Sequence, residues 1–276
     1  MHSQFNIFFS IAILPAGYPI LPRVAIDSLY PAQSDHEVAA VANRNDLVTR
    51  RAPMKTYWIL SLLVCLADVA HSADVMWSPP PAPDKSEHYV FYLHGLILEN
   101  AGPRPVSPEF GVYDYPAILD ALQGPDTKII AAQRASGTGS FEFAGRVVGQ
   151  IQTLLAAGVP PGNITVVGFS KGGAITLYIS SFLRQPDVRY VILAGCGDWL
   201  SELPQLRLTG KVLSIIEASD TLASSCAALA KRAPEPQAFN EIVLSTGKGH
   251  GTFFVPRPVW VNPTREWIAY KSLASP

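Results

Sequence analysis

The stretch that decides the fold is ITVVGFSKGGAITLYISSFL, residues 164–183. Ile164–Phe169 is an apolar run of strand length, Lys171–Leu183 has the composition of a helix, and Gly-x-Ser-x-Gly joins them at 168–172. A tight turn from strand to helix forces its central residue into a strained conformation and lifts the side chain above the sheet. We therefore predict that Ser170 is a nucleophile, with small glycines preventing collisions across the turn. An ordinary turn with a capping serine is the alternative.

Apolar runs and helix-like segments alternate on both sides of this stretch. The predicted strands are His88–Leu93, Lys128–Ala132, Ile164–Phe169, Tyr190–Ala194, Val212–Glu217 and Glu241–Ser245. The predicted helices are Tyr115–Leu122, Glu142–Ala157, Lys171–Leu183, Ala223–Lys231 and Pro258–Ser272. Continuous Val/Ile/Leu runs are typical of parallel strands covered on both faces. The pattern predicts an α/β fold, a three-layer sandwich around a mainly parallel sheet of about six strands.

A serine hydroxyl needs a base, and the base needs an orienting carboxylate. His250 is the only histidine after Ser170, and it follows the last predicted strand in a glycine-rich loop. Glu217 ends the preceding strand and Asp220 follows it, near the edge where ligands bind in parallel sheets. We favour Asp220 as the partner of His250. Glu217 is left to share that role or to support it, and a helix N-cap is the alternative for Asp220.

The negative charge of an acyl-transfer intermediate needs two backbone N–H donors. The residue after the nucleophile, Lys171, supplies one, and Leu96 in the His94-Gly95-Leu96 loop supplies the other. Gly95 permits close approach of the backbone, and we interpret His94 as a structural residue that orients this loop. The Lys171 side chain either attracts an anionic substrate or pairs with a nearby acid such as Glu99.

This arrangement of motifs resembles the α/β-hydrolase superfamily over about residues 88–272, with Ser170, Asp220 and His250 in that superfamily's chain order. The resemblance implies an esterase-like acyl-transfer mechanism with no metal or organic cofactor. Many members insert a lid domain where this chain has only the short stretch 195–208, so an open site is expected.

Aromatic residues in or beside the predicted loops are candidates for lining a substrate pocket. Together with Gly95, they are Tyr113, Trp199 and Phe253. Cys196 and Cys226 follow neighbouring strands and would form a disulfide if the protein is exported.

The segment 54–73 has a lysine, a short apolar run and small residues, which is the order of a secretory signal peptide. Residues 1–53 are then a non-native upstream extension or a disordered segment, because translation would begin at Met54. Residues 74–87 form a proline-rich lead-in, and 88–276 form one α/β-hydrolase domain. The apolar run is too short to span a bilayer, so the mature protein is predicted to be periplasmic or secreted, without a stable membrane span.

The composition narrows the possible partners. With 21 Lys and Arg against 22 Asp and Glu, the net charge of −1 gives no reason to expect nucleic acid as a partner. The sequence thus predicts a serine hydrolase that acts on a small ester or thioester. A non-catalytic binding protein on the same scaffold and a serine peptidase are the alternatives.

Overall fold

The computed structural model describes residues 75–232 and 238–269 of the chain. Its strands are β1 (Val75–Met76), β2 (His88–Leu93), β3 (Val106–Ser107), β4 (Gly111–Val112), β5 (Thr127–Ala131), β6 (Ile164–Phe169), β7 (Arg189–Leu193), β8 (Lys211–Glu217) and β9 (Phe239–Leu244). Its α-helices are α1 (Tyr115–Leu122), α2 (Ser140–Ala156), α3 (Lys171–Leu183), α4 (Ala227–Ala230) and α5 (Pro258–Ala269).

The central sheet has seven strands in the order β1-β5-β2-β6-β7-β8-β9, and every neighbouring pair is parallel. β3 and β4 form a separate antiparallel hairpin. The predicted α/β architecture is confirmed, and all six predicted strands are present within two residues of their predicted bounds. The seventh strand, β1, lies in the predicted lead-in and pairs with Ile129 and Ile130. Two residues beside a run of prolines give no periodic signal, which is why the predicted count was one short.

Helices cover both faces of the sheet. α2 and α3 pack together over one face, with Ile151 and Ile175 in the core there. α1 and α5 pack over the other face, where Trp260 lies in the core. In β6, Val166 belongs to the first core and Val167 to the second, as the alternation of side chains along a strand requires. Burial on both faces explains the unbroken apolar runs of the sequence.

The predicted disulfide between Cys196 and Cys226 is present, with Cα atoms 5.4 Å apart. It also explains an error in the predicted helices. The prediction began a helix at residue 223, whereas α4 begins at Ala227. Ser224 instead donates its N–H to the carbonyl of Cys196 and forms an isolated bridge there, so these residues pair with the segment at Cys196 and not with a helix.

The predicted signal peptide at 54–73 and the upstream segment 1–53 lie outside the described residues. Within the described part of the chain, no helix is sufficiently long and apolar to cross a membrane.

Candidate active site

Ser170 lies between β6 and α3 in a backbone conformation that side-chain-bearing residues rarely adopt, with φ 53° and ψ −117°. Its N–H donates to Leu193 O at 2.9 Å, and its carbonyl accepts from Ala174 N at 3.0 Å. These bonds fix the turn to the neighbouring strand and to the first turn of α3. Strain of this kind costs about 1–3 kcal/mol and is concentrated at functional sites.

Two glycines make this elbow possible. A Cβ atom at Gly168 would lie 2.2 Å from the carbonyl oxygen of Gly172, and one at Gly172 would lie 1.9 Å from that of Leu93. Both distances are far below van der Waals contact, so no other residue fits. The second clash shows that the first turn of α3 packs directly against the end of β2, in addition to the collision across the turn.

His250 and Asp220 are in direct contact, with Nδ1 of the imidazole 2.7 Å from Oδ2 of the carboxylate. His250 lies in the 3-10 turn Gly249–Phe253 that follows β9, and Asp220 lies in the loop after β8. The other carboxylate oxygen, Oδ1, accepts from the N–H of Leu222 at 2.8 Å. Asp220 therefore caps a turn and orients the histidine at the same time, through different oxygens.

The imidazole of His250 packs against the residue that precedes Ser170, with its ring centre 4.9 Å from that of Phe169. Since Nδ1 faces Asp220, Nε2 is the nitrogen left to accept a proton. Among the described residues, no hydrogen bond joins His250 to the Ser170 hydroxyl. Catalytic hydrogen bonds are often long before substrate binds and tighten in the substrate complex.

Glu217 does not contact His250 but connects the two loops that carry Asp220 and His250. Its buried carboxylate accepts hydrogen bonds from the N–H and hydroxyl of Thr246, the N–H of Gly247 and the hydroxyl of Ser219. Burial alone would raise the pKa of this carboxyl, but the hydrogen bonds from Thr246, Gly247 and Ser219 outweigh it and hold the pKa below its ordinary value. The sequence left Glu217 either to share the role of Asp220 or to support it. Its contacts are those of a supporting residue.

The loop predicted to donate the second amide lies beside Ser170. A Cβ atom built on Gly95 would be 3.6 Å from Cβ of Ser170 and 3.1 Å from the ring of Phe169. Leu96 then begins the 3-10 turn Leu96–Glu99, and Lys171 begins α3. The first N–H groups of a helical turn have no partner within it, so both positions suit an anion.

The Lys171 side chain is only 3% exposed and belongs to a buried ion cluster with Glu99 and Arg134. Its Nζ donates to Oε2 of Glu99 at 3.0 Å and to the carbonyl of Thr138 at 2.7 Å. Arg134 donates its Nε–H to the other oxygen of Glu99 at 2.9 Å. Of the two roles considered for Lys171, the structure shows the pair with Glu99.

His94 is fully buried behind this loop. Its Nε2 accepts the backbone N–H of Arg134 at 2.8 Å, so Nδ1 carries the proton that is donated to Gly95 O at 2.7 Å. Burial, helped by the charge of Arg134, lowers the pKa of His94 to about 3. The ring is therefore neutral. Its two hydrogen bonds link the loop after β2 to the chain after β5.

The aromatic residues predicted to line a pocket pack in or against the hydrophobic cores. Tyr113 and Phe253 are completely buried in the core on the α1/α5 face, and the Tyr113 hydroxyl lies 2.9 Å from that of Tyr92. Trp199 packs against the opposite core, on the α2/α3 face. Of the four candidates, Gly95 is the one that the structure places against Ser170.

Sequence reasoning missed Phe110, in the loop of the β3–β4 hairpin. Its ring centre lies 6.1 Å from that of His250 and 5.4 Å from that of Phe254, and its side chain fills the space beside Gly251. The hairpin thereby covers the histidine. Sequence reasoning also missed the contacts of Arg134, whose only signal was its place in the loop after β5, at the edge of the sheet where the candidate site lies.

A parallel sheet with a serine elbow after β6, an acid after β8 and a histidine after β9 defines this chain as an α/β-hydrolase fold. Similar solved structures include SOBER1 of Arabidopsis thaliana (15% identity, TM-score 0.48, covering 66% of this chain and 97% of that one). Esterase PE8 has 18% identity and a TM-score of 0.43, and the match covers 70% of this chain and 98% of that one. An arylesterase has 13% identity and a TM-score of 0.47, and the match covers 66% of this chain and 75% of that one. No protein-family model and no curated protein matches the chain.

Proposed function

We propose that this protein is a serine hydrolase that cleaves a small ester or thioester through an acyl-enzyme intermediate. The observation that carries the proposal is the 2.7 Å contact between His250 and Asp220, at the sheet edge where Ser170 lies in its strained turn.

Each residue has a defined task in this reaction. Nε2 of His250 takes the proton of Ser170 as its oxygen attacks the acyl carbon, while Asp220 holds Nδ1–H and stabilises the imidazolium. The N–H groups of Leu96 and Lys171 bind the oxyanion, and such a donor is typically worth about 3–4 kcal/mol. His250 returns the proton to the leaving group. It then activates a water molecule that releases the acyl group and regenerates Ser170.

Labelling with a fluorophosphonate probe tests the proposal. We expect wild-type protein to be labelled once, at Ser170, and to hydrolyse activated esters. Ser170→Ala should abolish labelling and lower kcat/KM by about 10⁴-fold or more. Ser201→Ala is the matched control, because that serine is exposed and donates its hydroxyl to Asp198 O.

Two outcomes would contradict this function. Label found at another residue would displace Ser170 as nucleophile. Folded wild-type protein that neither reacts with the probe nor hydrolyses activated esters or thioesters would indicate the non-catalytic binding protein instead.

We also propose that the protein is exported and that residues 54–73 are removed as a signal peptide. The disulfide between Cys196 and Cys226 supports an oxidising compartment. Sequencing of the natural protein's N-terminus should find it near residue 74. The mature chain, unfolded without reductant, should show no free thiol, and two reactive thiols would contradict export.

A further inference from the structure

Two segments that are distant in sequence carry the proposed oxyanion donors, and one buried carboxylate connects them. Leu96 and Glu99 lie on the same 3-10 turn, while Lys171 carries both an amide donor and the ammonium that binds Glu99. We propose that Glu99 is a positioning residue, which fixes the Leu96 and Lys171 amides relative to each other. The inference rests on the proposed serine-hydrolase function.

Each carboxylate oxygen of Glu99 binds one cationic side chain. Oε2 of Glu99 holds Nζ of Lys171 at 3.0 Å, and Oε1 holds Nε of Arg134 at 2.9 Å. Arg134 also donates from Nη2 to the carbonyl of His94, next to Gly95. The loop is therefore held at Glu99 and at His94, on either side of Leu96. One end of this brace is the residue that follows the nucleophile.

The energetics favour a role beyond general stability. The side chains of Glu99 and Arg134 are completely buried, and that of Lys171 is nearly so. Burying ion pairs costs solvation energy that packed apolar residues would avoid. A lysine normally extends its ammonium into water, and a cation in the first turn of a helix opposes the helix dipole. What this costly arrangement provides is a fixed distance between two backbone segments, and a misplacement of about 1 Å can lower a rate about 100-fold.

Direct contact between Lys171 and an anionic substrate is the competing role. The ammonium already binds Glu99 and the carbonyl of Thr138, and its side chain is 3% exposed. A substrate would have to break a buried ion pair to reach it. The two roles differ in a measurable way, because only a substrate contact depends on the charge of the substrate.

Lys171→Met is the sharpest test. It keeps the backbone amide of residue 171 and leaves Glu99 paired with Arg134, while the tether to Glu99 and the hydrogen bond to Thr138 O are lost. We expect kcat to fall about 10- to 100-fold, with KM within about twofold, which is the signature of an interaction made in the transition state. The loss should be equal for neutral and anionic esters. Affinity for a boronic acid, which forms a tetrahedral adduct with the serine, should fall by a similar factor.

A structural role alone would not produce this combination. The pH dependence of kcat/KM should be unchanged in Lys171→Met, because the pair of His250 and Asp220 is intact. Lys211→Met is the matched control, since Lys211 forms a partly exposed pair with Asp187 at 3.1 Å. It should leave kcat and boronate affinity unchanged.

The kinetics of Lys171→Met distinguish a positioning role of Glu99 from a substrate contact of Lys171. Folded Lys171→Met with wild-type kcat and boronate affinity would overturn the inference, and so would a loss confined to anionic esters. If that variant does not fold, Glu99→Gln is measured instead, with an expected fall in kcat of about 3- to 10-fold at constant KM; unchanged kcat there would overturn the inference equally. Absence of labelling and hydrolysis in the wild type would refute the proposed function itself.

Discussion

Two buried glutamates, Glu99 and Glu217, support the two halves of the candidate site in different ways. Glu99, on the side of the proposed oxyanion donors, is neutralised by the charged side chains of Lys171 and Arg134. Glu217, on the side of His250, accepts hydrogen bonds from the N–H and hydroxyl groups of neighbouring loops, among them those of Thr246. Both carboxylates join distant segments, but one does so with ion pairs and the other with uncharged donors.

The difference matches the charges that the proposed reaction creates. On the oxyanion side, two cations accompany one carboxylate, so that half has an excess of positive charge where negative charge would develop. On the acid–base side, the carboxylate of Asp220 contacts the imidazole that would become positive, and no cation accompanies that carboxylate among its described contacts. Fixed charges of the opposite sign to the developing ones lower the barrier because they need no reorganisation during the reaction.

Asp220→Asn should have the largest effect, on the acid–base half. The NH₂ of asparagine would face Nδ1 of His250 and force the imidazole proton onto Nε2. A protonated Nε2 could not accept the proton of the serine hydroxyl. We expect kcat to fall by about 10⁴-fold with little change in stability. Steady-state kinetics at pH 7–9 measure this, with the exposed Asp198→Asn as control. A loss below about tenfold would show that the carboxylate does not set the tautomer of His250.

Much of the fold follows from the sequence because both faces of the sheet are covered. That burial demands continuous apolar strands, and those runs placed β2, β5, β6, β7, β8 and β9. It gives no signal for β1, which has two residues and depends on its partner strand. The start of α4 was also misplaced, because a disulfide and a bridge to Cys196 override helix propensity in the preceding residues.

The site was predictable where chain order carries information. Ser170, Asp220 and His250 each follow a strand, and parallel strands bring such residues to one edge. The supporting contacts were less accessible, since Arg134 and Phe110 come from loops whose course depends on tertiary packing. Buried aromatics such as Tyr113 and Phe253 could not be separated from pocket residues, because both environments favour the same side chains.

Glu217→Gln should have a smaller effect, and chiefly on stability. The lowered pKa of Glu217 means that its carboxylate stabilises the fold fully above the unfolded value near 4.5. This contribution is lost as the pH falls through the lower folded-state pKa. At pH 7 we expect the free energy of unfolding to drop by about 1–3 kcal/mol, since strong acceptors are replaced. Urea unfolding of both proteins at pH 7 and at pH 3–4 should show this difference shrinking in acid. A difference that is constant with pH would rule out the ionised carboxylate as its source.

His94→Gln should have the smallest effect and a different pH window, on the oxyanion half. Because the pKa of His94 is lowered from 6.5 to about 3, the neutral ring stabilises the fold fully above pH 6.5. That stabilisation declines as the pH falls from 6.5 and is lost on passing through pH 3. We expect the variant to be about 1 kcal/mol less stable at pH 7, through one weakened hydrogen bond, and to close this gap already between pH 6 and 5. Glu217→Gln serves as the reference, since its gap should persist until the pH falls below 4.5. The acidic limb of kcat/KM should be the same as in wild type, because His94 stays neutral in that range. A shift of that limb in His94→Gln would mean that His94 takes part in proton transfer, and the division of the site into two halves would then be wrong.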